Sequence, residues 1–258
     1  MLDALALSLG ANIAVLILAA ASVTNMIQAA MLVVLLGLVL MGFSGPEAAV
    51  ANVHPMSALL LAAAVAGFLL VYRSSKEPMW RPRQTRDTVE DIPKEEYRRQ
   101  DLGRLIAGYA ATAAVVILAG AAVAHTVGNI VETTGLNESV AGGLLSALAT
   151  SLPELVTTIA AVRAGALTLA VSDIVGGNYF DVLFIFAADV FYLKGSIYHA
   201  EGVGEREQFL TGLALLLNAV LLLGLLYRQR AGPGNIGFES FLILTLYLAG
   251  FSVLGLLM

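Results

Sequence analysis

The chain contains no cysteine, a single tryptophan, three scattered histidines and only 13% charged residues in 258 positions. Without cysteine there is no disulfide, no thiol nucleophile and no thiolate metal site, and three isolated histidines do not make a zinc or copper centre. The redox compartment stays undetermined. Charge this sparse excludes an ordinary soluble domain, in which Asp, Glu, Lys and Arg approach about a quarter of residues. What fills the chain instead is 59% hydrophobic residues. A basic leader followed by a small-residue cleavage site is also missing at Met1, so the first apolar stretch reads as a span of the mature chain rather than a removable signal. No Ser-His, His-Glu or Gly-x-Gly-Asp constellation is present, which disfavours an intramembrane enzyme. The net charge of −5 says little about partners, and nothing points to nucleic acid.

Apolar runs of about 18 residues or more are the signature of membrane-spanning helices. About eight occur, near 2–23, 26–43, 55–73, 103–126, 138–162, 166–192, 207–227 and 236–257. They predict an all-α, polytopic membrane protein whose main partner is the lipid bilayer. Little chain remains for a soluble domain, and the organisation divides into an N-terminal part (1–73, three spans), a charged linker (74–102) and a C-terminal part (103–258, five spans). The sequence does not give the oligomeric state.

Basic residues orient the spans, because loops on the cytoplasmic side are enriched in Lys and Arg. Arg73, Lys76, Arg81, Arg83, Arg86, Lys94, Arg98, Arg99 and Arg104 flank or occupy the linker, nine of the chain's 14 basic residues. The linker is therefore expected in the cytoplasm, together with Arg163, Arg228 and Arg230. Glu47, Glu132, Glu138, Glu201, Glu205 and Glu207 then fall outside, with both termini. Lys194 and Arg206 are mild exceptions.

Polar residues inside apolar spans mark function, since a charge at mid-bilayer costs kilocalories. One region concentrates them: Ala149-Thr150-Ser151-Leu152-Pro153-Glu154, and, beyond Arg163, Ser172-Asp173-Ile174-Val175-Gly176-Gly177-Asn178-Tyr179-Phe180-Asp181. On a helix, Thr150 and Glu154 share a face, as do Asn178 and Asp181. Pro153 removes one backbone donor and frees carbonyl oxygen around Ala149. Carboxylates, hydroxyls, an amide and carbonyls form an all-oxygen set suited to a hard cation such as Ca2+ or Na+. Gly142, Gly143, Gly176 and Gly177 would permit close helix approach.

A short internal repeat aligns Gly10-Ala11-Asn12-Ile13 with Gly176-Gly177-Asn178-Tyr179, each opening a long span that two more spans follow. With the orientation above, the two copies run in opposite directions. Inverted repeats are a common secondary-transporter architecture, with the substrate site near mid-membrane. Blander readings suit other polar residues. Asp3, His125, Asp189, Lys194 and His199 lie near span ends, where water and headgroups accommodate charge, and Glu239 reads as an interfacial or helix-start residue. Asp173, two turns before Asp181, and Asn12 in the other copy are candidates for an ion path.

The string Thr150-Ser151-Leu152-Pro153-Glu154, preceded by Gly142-Gly143 and followed by Gly176-Gly177-Asn178-Tyr179-Phe180-Asp181, resembles the second repeat of the calcium/cation antiporter superfamily, the sodium/calcium exchangers and their relatives. The resemblance implies two inverted halves of five helices. It implies Ca2+ exchange against Na+ or H+, with no cofactor beyond the transported ions and no enzymatic activity. Carried over residue by residue, Glu154 and Asp181 become acidic ion ligands. Thr150, Ser151 and the backbone at Ala149 complete the coordination, and Asn178 supports it. Departures are also visible. The first copy begins at what corresponds to the third helix of that fold, so two helices and a second Pro-Glu motif are expected to be missing, leaving an incomplete 3 + 5 repeat. Ala11 and Gly177 stand where the family has serine, Val15 stands opposite Asp181, and Asp173 replaces an Asn. Fewer oxygen ligands suit Ca2+/H+ exchange, or transport of one ion type, at least as well as exchange of several Na+ ions. An N-terminally truncated, non-transporting fragment or scaffold is the alternative reading.

Overall fold

The computed structural model describes residues 22–50, 52–76, 102–134, 147–163, 167–227 and 237–257. The stretch carrying Gly10 and Asn12, the body of the linker, and Gly142 with Gly143 lie outside the described residues. Within them the chain forms seven α-helices: α1 Val23–Ser44, α2 Pro55–Lys76, α3 Leu102–Thr134, α4 Ala147–Arg163, α5 Leu167–Phe191, α6 Glu205–Tyr227 and α7 Phe238–Leu257. A short 3-10 turn at Ile197–His199 joins α5 to α6. Five of the helices, α1, α2, α3, α5 and α6, are long and apolar enough to cross a membrane. The protein is an all-α polytopic membrane protein. α3 runs past its expected end at residue 126 to Thr134, which makes it about 50 Å long at 1.5 Å per residue.

Local chemistry sets the helix ends. Ser22 caps α1, its hydroxyl accepting the Asn25 N–H at 3.0 Å. Gly45 and Pro46 follow its last turn, where proline disfavours helical geometry in the preceding residue. Pro55 occupies the first position of α2, where its missing N–H costs nothing. Behind it, the His54 ring nitrogen Nδ1 accepts the Met56 N–H at 3.1 Å and so caps the helix from one residue upstream.

The described chain divides into two compact units, residues 1–89 with 161–258, and residues 90–160. In the first, α1 is the central helix and packs against α2, α5 and α6, while α2 also meets α5 and α6 meets α7. α1 buries Asn25, Ala29, Leu32, Leu36 and Val39, a stripe advancing by three and four residues that keeps one face inward. Lipid is as apolar as a leucine side chain, so these helices associate by close packing rather than by leaving water. Glycine provides the room. Gly42 lies under the Tyr198 ring, Gly67 under the Tyr179 hydroxyl and Met31, Gly224 against the Glu239 side chain, and Gly250 against Leu213. A Cβ on Gly176, one of the four motif glycines, would by contrast meet nothing within 4 Å. The outward faces carry exposed Val34, Leu59, Phe184, Leu223, Leu244 and Leu248, the surface expected to face lipid.

The second unit holds α3 and most of α4. α4 is helical straight through Pro153. α3 presents Ile106, Tyr109, Val115, Ile117 and Leu118 as exposed apolar side chains.

Candidate cation site

α5 carries the second half of the motif at the middle of its length, and three further helices surround it. Asn178 and Asp181, three residues apart on one face, both line a cavity of about 530 Å3. α1 contributes Leu32 and Leu36 to its wall, α6 contributes Asn218, and α7 contributes Ser240. The sequence reading brings Asn178 and Asp181 together and the structure places them in one cavity, but Asn218 and Ser240 were not anticipated. Asn218 could have been noticed, since it interrupts the apolar run Leu215-Leu216-Leu217-Asn218-Ala219-Val220 as Asp181 interrupts its own.

Tyr179, between the two ligand candidates, points the opposite way. Its hydroxyl donates to the Ala64 carbonyl of α2 at 2.6 Å, and Phe68 stacks edge-on at 4.9 Å between ring centroids. This bond fixes the rotation of α5 and hence the direction in which Asn178 and Asp181 face. A second clamp lies toward the start of the helix. The Ser172 hydroxyl donates to Asn25 Oδ1 at 2.6 Å, and Asn25 Nδ2 donates to the Thr168 carbonyl at 3.2 Å. Asn25 is fully buried, so both halves of its amide are satisfied within the protein. Asp173 is half-buried beside this clamp and does not line the cavity.

At the other end of α5, Asp189 is 0% exposed. Its carboxylate accepts the His54 N–H at 2.7 Å, the Ser57 hydroxyl at 2.6 Å and the Ile197 N–H at 2.8 Å. Headgroups and water therefore do not accommodate this charge, as its position near a span end had suggested; three protein donors do. The same corner gathers Tyr198 beside Phe43, and His54 beside His199, with ring centroids 5.3 Å and 5.7 Å apart. His199 Nε2 lies 3.2 Å from the Gly45 carbonyl. The cluster ties the α1–α2 connection to the α5–α6 connection. Burial pushes the Tyr198 phenol above its ordinary range; the nearby Ser57 hydroxyl opposes that shift and the Asp189 charge adds to it. Glu239 does open α7, as its place after Gly237 indicated, and it is 2% exposed, packed against Gly224.

In the second unit, Glu154 lies half-buried on α4 and its carbonyl accepts the Thr157 hydroxyl at 3.0 Å. Thr150 lies one turn earlier in the same helix and Ser151 is exposed. Among the described residues no three His, Asp or Glu side chains converge as a resident metal site would require. The ligand set available is one of single carboxylates with neutral oxygens.

Residues 104–254 match the sequence profile of a family described as sodium/calcium exchanger protein, and that match spans more than half of the 258 residues. The chain belongs to the sodium/calcium exchanger family. Both α4 with Glu154 and α5 with Asp181 fall inside the match. Among individual relatives, the sodium/calcium exchanger MaX1 of Methanosarcina acetivorans is 32% identical over 92 residues, which is 36% of this chain and 25% of that protein. Sodium/potassium/calcium exchanger 2 of Gallus gallus is 42% identical over 59 residues, 23% of this chain and 9% of its own. The Homo sapiens protein of the same name gives 42% over 59 residues and 8% of its length. The stretch shared with each relative thus covers a quarter or less of that relative. No solved structure matches. Members of this family are secondary transporters rather than enzymes.

Proposed function

We propose that this chain acts in secondary-active antiport, exchanging Ca2+ for Na+ or H+ across the membrane. The observation that carries the reading is the seating of Asn178 and Asp181 on a cavity at the middle of a membrane-spanning helix, inside the segment that matches the exchanger family. A carboxylate at that depth is costly unless a cation or proton neutralises it, and exchange of one for the other is the transport step. Glu154 and Asp181 are the acidic ligands in this reading. The Thr150 and Ser151 hydroxyls, the Ala149 carbonyl and the Asn178 amide supply neutral oxygens, a set that suits Ca2+ or Na+. Pro153 frees backbone oxygen next to Glu154, while Gly142, Gly143, Gly176 and Gly177 let helices approach closely. Asp173 and Asn12 extend that route. Protonation of one carboxylate offers a coupling step for H+.

The linker at 74–102 is cytoplasmic and both termini lie outside in this reading, and the spans at 1–73 and 103–258 are the two parts of an inverted repeat. The packing of α1 on α2 and of α6 on α7 supports it, because each pair follows one copy of the Gly-x-Asn string.

The test is radiolabelled Ca2+ uptake into proteoliposomes holding the purified chain, with an outward Na+ gradient, an outward H+ gradient, or neither. Uptake driven by one gradient identifies the counter-ion. A correctly folded chain that moves no Ca2+ under any gradient refutes antiport by this chain and leaves the non-transporting scaffold.

A further inference from the structure

We propose that Asn218 of α6 and Ser240 of α7 belong to the cation route, forming a polar wall that leads from Asp181 toward the end of the bundle where α6 finishes and α7 begins. The inference deepens the antiport reading and rests on it for the identity of the ion. Three observations support it.

Asn218 and Ser240 line the same cavity as Asn178 and Asp181, so polar residues of three helices border one space of about 530 Å3. The rest of the wall is aliphatic, Leu32 and Leu36 of α1 included. An amide or hydroxyl turned into apolar surroundings costs about 1–3 kcal/mol unless water or an ion satisfies it. Both groups therefore suit a space that water or cations can enter.

The Asn218 amide is oriented for a cation. Its Nδ2 donates to the Ala214 carbonyl one turn back at 2.9 Å. That bond commits the donor end of the amide to the helix, and among the described residues nothing donates to Oδ1. A fixed carbonyl-type oxygen is what hard cations bind.

The positions also form a path rather than a point. Asp181 and Asn218 sit near the middle of α5 and α6, while Ser240 lies in the first turn of α7. Cavity-lining residues recur at Val171, Ile174, Asn178 and Asp181 on α5. They follow helical spacing toward the start of that helix. From Asn218 to the end of α6 is about 13 Å at 1.5 Å per residue. The route needs neither α4 nor Glu154, so it is a way of reaching Asp181 from one side.

The absence of cysteine makes the test clean, because a single introduced thiol is the only one in the chain. The full chain carrying Asn218→Cys or Ser240→Cys is reconstituted and treated with a membrane-impermeant cationic methanethiosulfonate, with and without Ca2+. Leu223→Cys, on the outward face of α6, is the lipid-facing control. Both cavity thiols are expected to label at least about tenfold faster than the control, since only a hydrated thiol ionises readily. Ca2+ should slow that labelling, and adding Asp181→Asn should remove the protection. Labelling no faster than Leu223→Cys overturns the proposal, as does labelling that Ca2+ leaves unchanged. Ca2+ flux in the unmodified chain is read separately. Flux without protection sinks the polar wall and spares antiport, whereas protection without flux supports the wall and sinks antiport.

Discussion

The Tyr179 hydroxyl and the Ala64 carbonyl meet at 2.6 Å across the α5–α2 interface, and this bond orients the helix that bears Asn178 and Asp181. Gly67, one turn along α2 from Ala64, makes the contact possible, since a side chain there would collide with the Tyr179 hydroxyl and with Met31. Tyr179→Phe should therefore cost about 1 kcal/mol, the net worth of one hydrogen bond. Gly67→Leu should cost about 1–3 kcal/mol by overpacking. Thermal unfolding in detergent checks both, and Gly67→Leu should lower the midpoint more. A Gly67→Leu protein as stable as the parent would show that α2 and α5 do not approach this closely.

Removing charge from the ligand candidates should act on transport and spare the fold. Glu154→Gln and Asp181→Asn keep size and lose the negative charge, so each should weaken apparent Ca2+ affinity at least about tenfold, or about 1.4 kcal/mol. Uptake into proteoliposomes against Ca2+ concentration measures the loss. Parent-like uptake by either variant would remove that residue from the ion site.

Asp189 should behave in the opposite manner. Asp189→Ala leaves the His54 N–H, the Ser57 hydroxyl and the Ile197 N–H without their acceptor in a buried corner. Stranded buried donors cost about 1–3 kcal/mol each, so a loss of about 3 kcal/mol or more is expected. The variant should unfold at markedly lower temperature while the ratio of its Ca2+ to Na+ affinity stays at the parent value. A changed ratio at unchanged stability would move Asp189 into the ion route.

Alkaline pH should loosen the same corner. Burial is the main cause that pushes the Tyr198 phenol above the ordinary tyrosine range of about 10 in the folded protein. The folded state then holds this proton more tightly than the unfolded state, so the contribution to stability is complete below about pH 10 and declines as pH rises through the folded value. Unfolding midpoints recorded from neutral to strongly alkaline pH should fall less steeply for Tyr198→Phe than for the parent. Identical slopes would show that the phenol does not experience its burial.

Composition and periodicity alone determined that this is an all-helical, polytopic membrane protein, because a run of about 18 apolar residues has few other stable forms. The rare polar residues within those runs were legible for the same reason: the cost of a charge in lipid makes Glu154 and Asp181 conspicuous against their neighbours. The Ser22 cap and the Pro55 start were equally local. Which polar residues would share a space was not legible, since it depends on the rotation of one helix against another. Tyr179 on Ala64, and Ser172 on Asn25, set that rotation through bonds between residues more than a hundred positions apart. Tertiary packing alone placed Asn218 and Ser240 on the same cavity as Asp181. It also turned Asp189 from a residue near a span end into the buried anchor of the α1–α2 and α5–α6 connections, because protein donors there replace the water that a linear sequence cannot show to be absent.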